Sequence, residues 1–97
     1  MSENHIKISF LSLLADIIGL NEISLSLNEN STIRDVIREL IKNFGIEFEN
    51  TIFISTGILS KYILLALNGK DIKHFNNLDT ILQDGDEIIF LPAIAGG

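Results

Sequence analysis

Cysteine and tryptophan are missing from the 97 residues, and proline and methionine occur once each. The lack of cysteine excludes disulfide scaffolds, thiolate zinc sites, iron–sulfur clusters and thiol catalysis, and fits a reducing compartment. A single proline and an apolar content of 46% exclude collagen-like and disordered chains. Basic residues are scarce: seven Lys and Arg stand against thirteen Asp and Glu, a net charge of −6. That is the wrong sign for neutralising phosphates, so nucleic acid is not expected as a partner. No apolar run is long enough to span a bilayer. The stretch from Ile8 to Leu20 comes nearest, but Asp16 interrupts it and no basic cluster or small-residue cleavage site flanks it. A cytoplasmic chain with no membrane contact is expected, and Asn30-Ser31-Thr32 reads as a helix start rather than a glycosylation site.

What is present reads as one domain. Ile6 to Leu11 and Glu22 to Leu27 alternate with a period of two, which predicts paired strands; Ser12 to Ile18 between them is a short helix or an irregular turn. Thr32 and Asp35 have capping-box spacing. After them Ile33, Val36, Ile37, Leu40, Ile41 and Phe44 line one helical stripe that Gly45 closes. Ile46 to Lys61 has apolar residues without a clean period, and could form a short helix, a strand pair or a loop over the core. Tyr62 to Leu67 predicts a strand, Asn68-Gly69 a tight hairpin, Lys70 to Ile72 its return, Thr80 to Leu82 a helical turn, and Asp86 to Leu91 a last strand ended near Pro92. This order predicts an α+β, β-grasp (ubiquitin-like) fold: a mixed sheet of four to five strands with one main helix on one face.

Catalytic groups are few. His5 and His74 lack ligand spacing, so no metal site is expected, and Asp84-Gly85-Asp86-Glu87 reads as a turn rather than a calcium loop. No nucleophile, base and orienter assemble from local spacing. The residues from Pro92 through Ala93, Ile94 and Ala95 to Gly96 and Gly97 stand apart. Small residues are tolerated at any frayed terminus, yet paired glycines can also thread a narrow channel and carry a carboxylate into another protein's active site.

The segment from Asp84 to Gly97 resembles the C-terminal signature of ubiquitin-like sulfur carriers, in particular the molybdopterin synthase small subunit and the small archaeal modifiers. Leu67 to Ile72 and Leu78 to Thr80 resemble the family's strand, turn and corner. The resemblance implies a domain over residues 1–91 with a flexible tail over 92–97. It implies a non-catalytic cosubstrate with no bound cofactor. A ubiquitin-activating-like enzyme would spend ATP to adenylate Gly97, a sulfur donor would replace AMP, and the resulting thiocarboxylate would serve the molybdopterin synthase large subunit. The archaeal relatives imply an alternative, conjugation of Gly97 to lysines of target proteins; a β-grasp interaction module with an incidental Gly-Gly end is a third reading. In these roles Gly97 carries the group, Gly96 gives clearance, and Pro92, Ala93, Ile94 and Ala95 guide the tail. Parity along the last strand assigns Ile88 and Phe90 to the core, leaving Ile89, Leu91 and Leu11 as a partner-binding patch unless residues 46–61 cover it.

Overall fold

The computed structural model describes residues 3–11, 13–55, 58–60 and 62–92. Five strands form one sheet in the order β2 (Glu22–Asn28), β1 (Glu3–Phe10), β7 (Glu87–Pro92), β5 (Ile63–Leu67) and β6 (Lys70–Asp71). β1 runs antiparallel to β2 and parallel to β7, and β5 runs antiparallel to both β7 and β6. The first and last strands thus meet at the centre, which is the β-grasp arrangement. A short helix α1 (Leu13–Ile18) occupies the connection between β1 and β2.

α2 (Ile33–Phe44) lies on one face of the sheet. Its start is fixed by a capping box: Asp35 N–H donates to Thr32 Oγ1 at 3.3 Å, and Thr32 N–H donates to the Asp35 carboxylate at 2.8 Å. Ile33, Val36, Ile37 and Leu40 are buried against Ile6, Ile8 and Phe10 of β1 and Ile88 and Phe90 of β7. Gly45 ends the helix at φ 83°, ψ −162°. This differs from the left-handed closure expected from the sequence, because the same residue also starts α3 (Ile46–Ile52) and must turn the chain sharply. Only glycine adopts that backbone readily.

The segment without a clear period resolves into α3 followed by a small second sheet, β3 (Phe53–Ser55) with β4 (Ile58–Leu59). Phe48 and Ile52 are buried in the main core. The Phe48 ring lies 6.3 Å from Phe10, 6.1 Å from Phe44 and 6.0 Å from Phe90, centroid to centroid. α3 therefore closes the helical side of the sheet and leaves the other face open.

Several boundaries differ from the sequence reading. The return strand after Asn68-Gly69 stops at Asp71, because the Asp71 carboxylate accepts the Lys73 N–H at 2.9 Å and turns the chain into a 3-10 turn over Ile72–His74 that buries Ile72. The helical turn expected at Thr80 to Leu82 lies instead at Asn77–Asp79. Thr80 Oγ1 donates to Asn77 C=O at 2.7 Å and accepts Asn76 N–H at 2.9 Å, which stops the turn there; Ile81 bridges back to Thr32. The last strand starts one residue later, since the Asp86 carboxylate is taken by Gln83 N–H at 2.8 Å and the Asn68 amide at 2.9 Å. It extends to Pro92, which pairs with Ile63.

Candidate functional site

The open face is built by parity. β7 places Ile88 and Phe90 in the core at 0% exposure, so Glu87, Ile89 and Leu91 point the other way. The ladder brings Leu64 opposite Leu91, Ala66 opposite Ile89, and Ser9 beside Ile89. Leu11 follows β1 on the same face, its N–H donating to Phe90 C=O at 3.1 Å. Cross-strand neighbours of this kind hold their side chains within contact range. The result is an aliphatic surface of Leu11 (43% exposed), Leu64 (37% exposed), Ala66, Ile89 and Leu91, the last three half-buried.

Sequence reasoning named Leu11, Ile89 and Leu91 and missed Leu64 and Ala66. The signal was there: Tyr62 to Leu67 is apolar at both parities, and a strand covered on one side only must show half of such a run. Phe48 and Ile52, from the segment considered as a possible cover, are packed in the core on the helical side. Pro92 is the last strand residue. Ala93, Ile94, Ala95, Gly96 and Gly97 lie outside the described residues.

Acidic groups border the aliphatic surface along the same face. Lys7 Nζ sits 3.4 Å from Glu22 and 3.6 Å from Glu87, and these two carboxylates, Glu22 first, raise its pKa above the ordinary 10.5. Asp84 accepts the His5 N–H at 2.7 Å and faces the His5 ring nitrogen at 3.1 Å; the backbone bond first, then the ring, lower its pKa below the ordinary 3.8. Both groups are exposed, so these pairs orient the first strand and the β7 turn more than they stabilise the fold. Among the described residues no group of three or more His, Asp and Glu side chains gathers as a metal site, and no helix is long and apolar enough to cross a membrane. The face is an aliphatic surface on the outward side of β7, the strand that precedes the glycine-ended segment in sequence.

The family model described as ThiS matches residues 8–97. The chain belongs to the ThiS family. Among its relatives, a putative sulfur carrier protein of Archaeoglobus fulgidus is 30% identical over 80 residues, covering 81% of this chain and 90% of that one. Small archaeal modifier protein 3 of Haloferax volcanii is 25% identical over 93 residues, covering 95% and 98%. In structure the chain is similar to small archaeal modifier protein 1 of Methanosarcina acetivorans, with a TM-score of 0.81, 28% identity and full coverage of both chains. This ThiS-family chain is thus of the class of small β-grasp sulfur carriers and modifiers. The match to the family runs through Gly96 and Gly97.

Proposed function

We propose that this protein is a sulfur carrier whose Gly97 carboxylate is activated and converted to a thiocarboxylate. A carboxylate is a poor acyl donor. An adenylating partner joins it to AMP from ATP with release of pyrophosphate, and a sulfur donor then displaces AMP to leave sulfur on the Gly97 carbonyl carbon. The thiocarboxylate delivers that sulfur to a pterin precursor held by the large subunit of molybdopterin synthase. The aliphatic face of Leu11, Leu64, Ile89 and Leu91 docks the partner, and the acidic rim favours a basic surround on it. Pro92 sets the direction of exit, Gly96 clears the channel walls, and Ala93, Ile94 and Ala95 lie along the channel.

The observation that carries this reading is the family match that continues through Gly97, a few residues after β7, whose outward side chains form the aliphatic face. Mass spectrometry tests it. Incubation with a family adenylating enzyme, ATP and a sulfide source is expected to raise the mass by the exchange of one oxygen for one sulfur. Gly97→Val should block the exchange and leave the unfolding midpoint unchanged. A wild-type chain that gains no sulfur, or a variant that gains as much, overturns the proposal.

A second reading is favoured by the 25% identity to a small archaeal modifier over nearly the whole chain. Activated Gly97 would then acylate lysines of target proteins. Gly-Gly remnants on lysines of other proteins in digests of producing cells would establish it.

A further inference from the structure

β2 ends the sheet order, so one edge of it has no ladder partner among the described residues. Its register with β1 decides which backbone groups that edge offers. Phe10 N–H donates to Asn21 C=O at 2.8 Å, and direct partners that exchange hydrogen bonds recur every second residue from there. Ile23, Leu25 and Leu27 therefore direct their N–H and C=O to β1. Glu22, Ser24, Ser26 and Asn28 direct theirs away from the sheet, and only the Asn28 carbonyl among these is engaged by a turn, accepting Ser31 N–H at 3.3 Å.

Edges of this length are usually blunted by proline, lysine, a bulge or a covering element. β2 has none of the first three: its register is unbroken over seven residues, and Glu22 at one end is its sole charge. Its helix-side row, Ile23, Leu25 and Leu27, is half-buried although it touches the core. An unpaired backbone and an incompletely covered aliphatic row thus coincide on one strand.

We propose that this edge pairs antiparallel with β2 of a second copy of the chain, about a twofold axis between the two Leu25 residues. The strand is its own complement. With the axis at Leu25, Ile23 lies opposite Leu27, Ser24 opposite Ser26 and Glu22 opposite Asn28 of the second copy. Aliphatic meets aliphatic on the helix side, and the outward backbone groups of Ser24 meet the outward groups of Ser26. A slip of one residue breaks both matches at once. The axis also answers the charge problem of pairing two chains of net charge −6, because the one carboxylate on the edge faces a neutral amide. An axis of this kind is perpendicular to the sheet and keeps both α2 helices on one side. Both aliphatic faces stay open on the other side, so the pairing does not compete with partner docking.

The full chain tests this in two ways. Sedimentation equilibrium should show a monomer–dimer mixture whose dimer fraction rises with salt, as screening relieves the repulsion between acidic chains. Ser24→Pro deletes an outward N–H and no bond to β1, and should weaken association about tenfold or more. Leu25→Cys supplies the only cysteine in the protein. The axis places it in a non-hydrogen-bonded pair with Cα atoms about 4.5 Å apart, within disulfide range. It should cross-link on mild oxidation about tenfold faster than Ser24→Cys, whose partner is Ser26. A wild type that is monomeric at every concentration, or a Leu25→Cys chain that cross-links no faster than Ser24→Cys, overturns the proposal. If Ser24→Pro fails to fold, the cysteine pair still decides, because it leaves the backbone unchanged.

Discussion

Asp84 shows how one exposed side chain serves two segments far apart in sequence. Its carboxylate holds the His5 backbone N–H, while the next residue, Gly85, donates its N–H to the His5 C=O at 2.9 Å. The bond to His5 favours the charged form and so lowers the pKa in the folded state. A group shifted this way stabilises the fold at pH values above its unfolded pKa, and that contribution disappears as pH falls through the lower folded value. On acidification from neutral pH to below 3.8, the urea midpoint of the wild type should therefore drop relative to that of Asp84→Asn. Parallel midpoints across that range would show that the bond has no energetic effect. In the interior the same scale is governed by packing. Phe90 sits 5.3 Å from Phe10, ring to ring, at 0% exposure, whereas its chain neighbours Ile89 and Leu91 remain half-buried. Alternation alone places these three residues correctly in the sequence.

At the scale of elements, α2 was legible because every local signal agrees: an N-terminal box, a 3.6-residue apolar stripe, and Asp35–Arg38 and Glu39–Lys42 pairs at 3.3 and 3.7 Å. Such surface pairs add only about 0.2–0.5 kcal/mol each, so the buried stripe decides the helix. Residues 46–59 were illegible by periodicity because a seven-residue helix gives barely two turns of pattern, and strands of three and two residues give even less. The corner over residues 72–82 was misplaced for another reason. Single side chains, Asp71 and Thr80, choose where its turns fall by bonding the backbone, and their partners cannot be read from spacing. Gly45 is the junction on which both helices depend, with its N–H bonded to Ile41 C=O at 2.7 Å and its C=O to Glu49 N–H at 3.2 Å. A Cβ there would meet nothing within 4 Å, so the cost of Gly45→Ala is backbone strain alone. We expect a loss of about 1–3 kcal/mol in urea unfolding with no change in its slope. A variant as stable as the wild type would show that the junction tolerates another geometry.

For the whole molecule, element order was enough to give the β-grasp topology, because crossover rules leave few places for a final strand. The aliphatic face was half legible. β7 revealed its share through alternation, but the contribution of β5 required knowing which strand lies beside it. The central position of β7 also means that, within the sheet, it is the strand between β1–β2 and β5–β6. A chain ending at Asp86 should give no cooperative urea transition, and a sharp transition in that fragment would refute the joining role of β7.

The parallel pairing of the first and last strands also sets the order of events during synthesis. The chain emerges from its N-terminus, and β1 must wait for residues 87–92 before its second edge is filled. The aliphatic face, which needs Ile89 and Leu91, cannot exist before those residues have left the ribosome. A chain cut short of β7 is therefore expected to lack both this face and the parallel partner of β1. The aliphatic face thus becomes available only to chains that have completed β7.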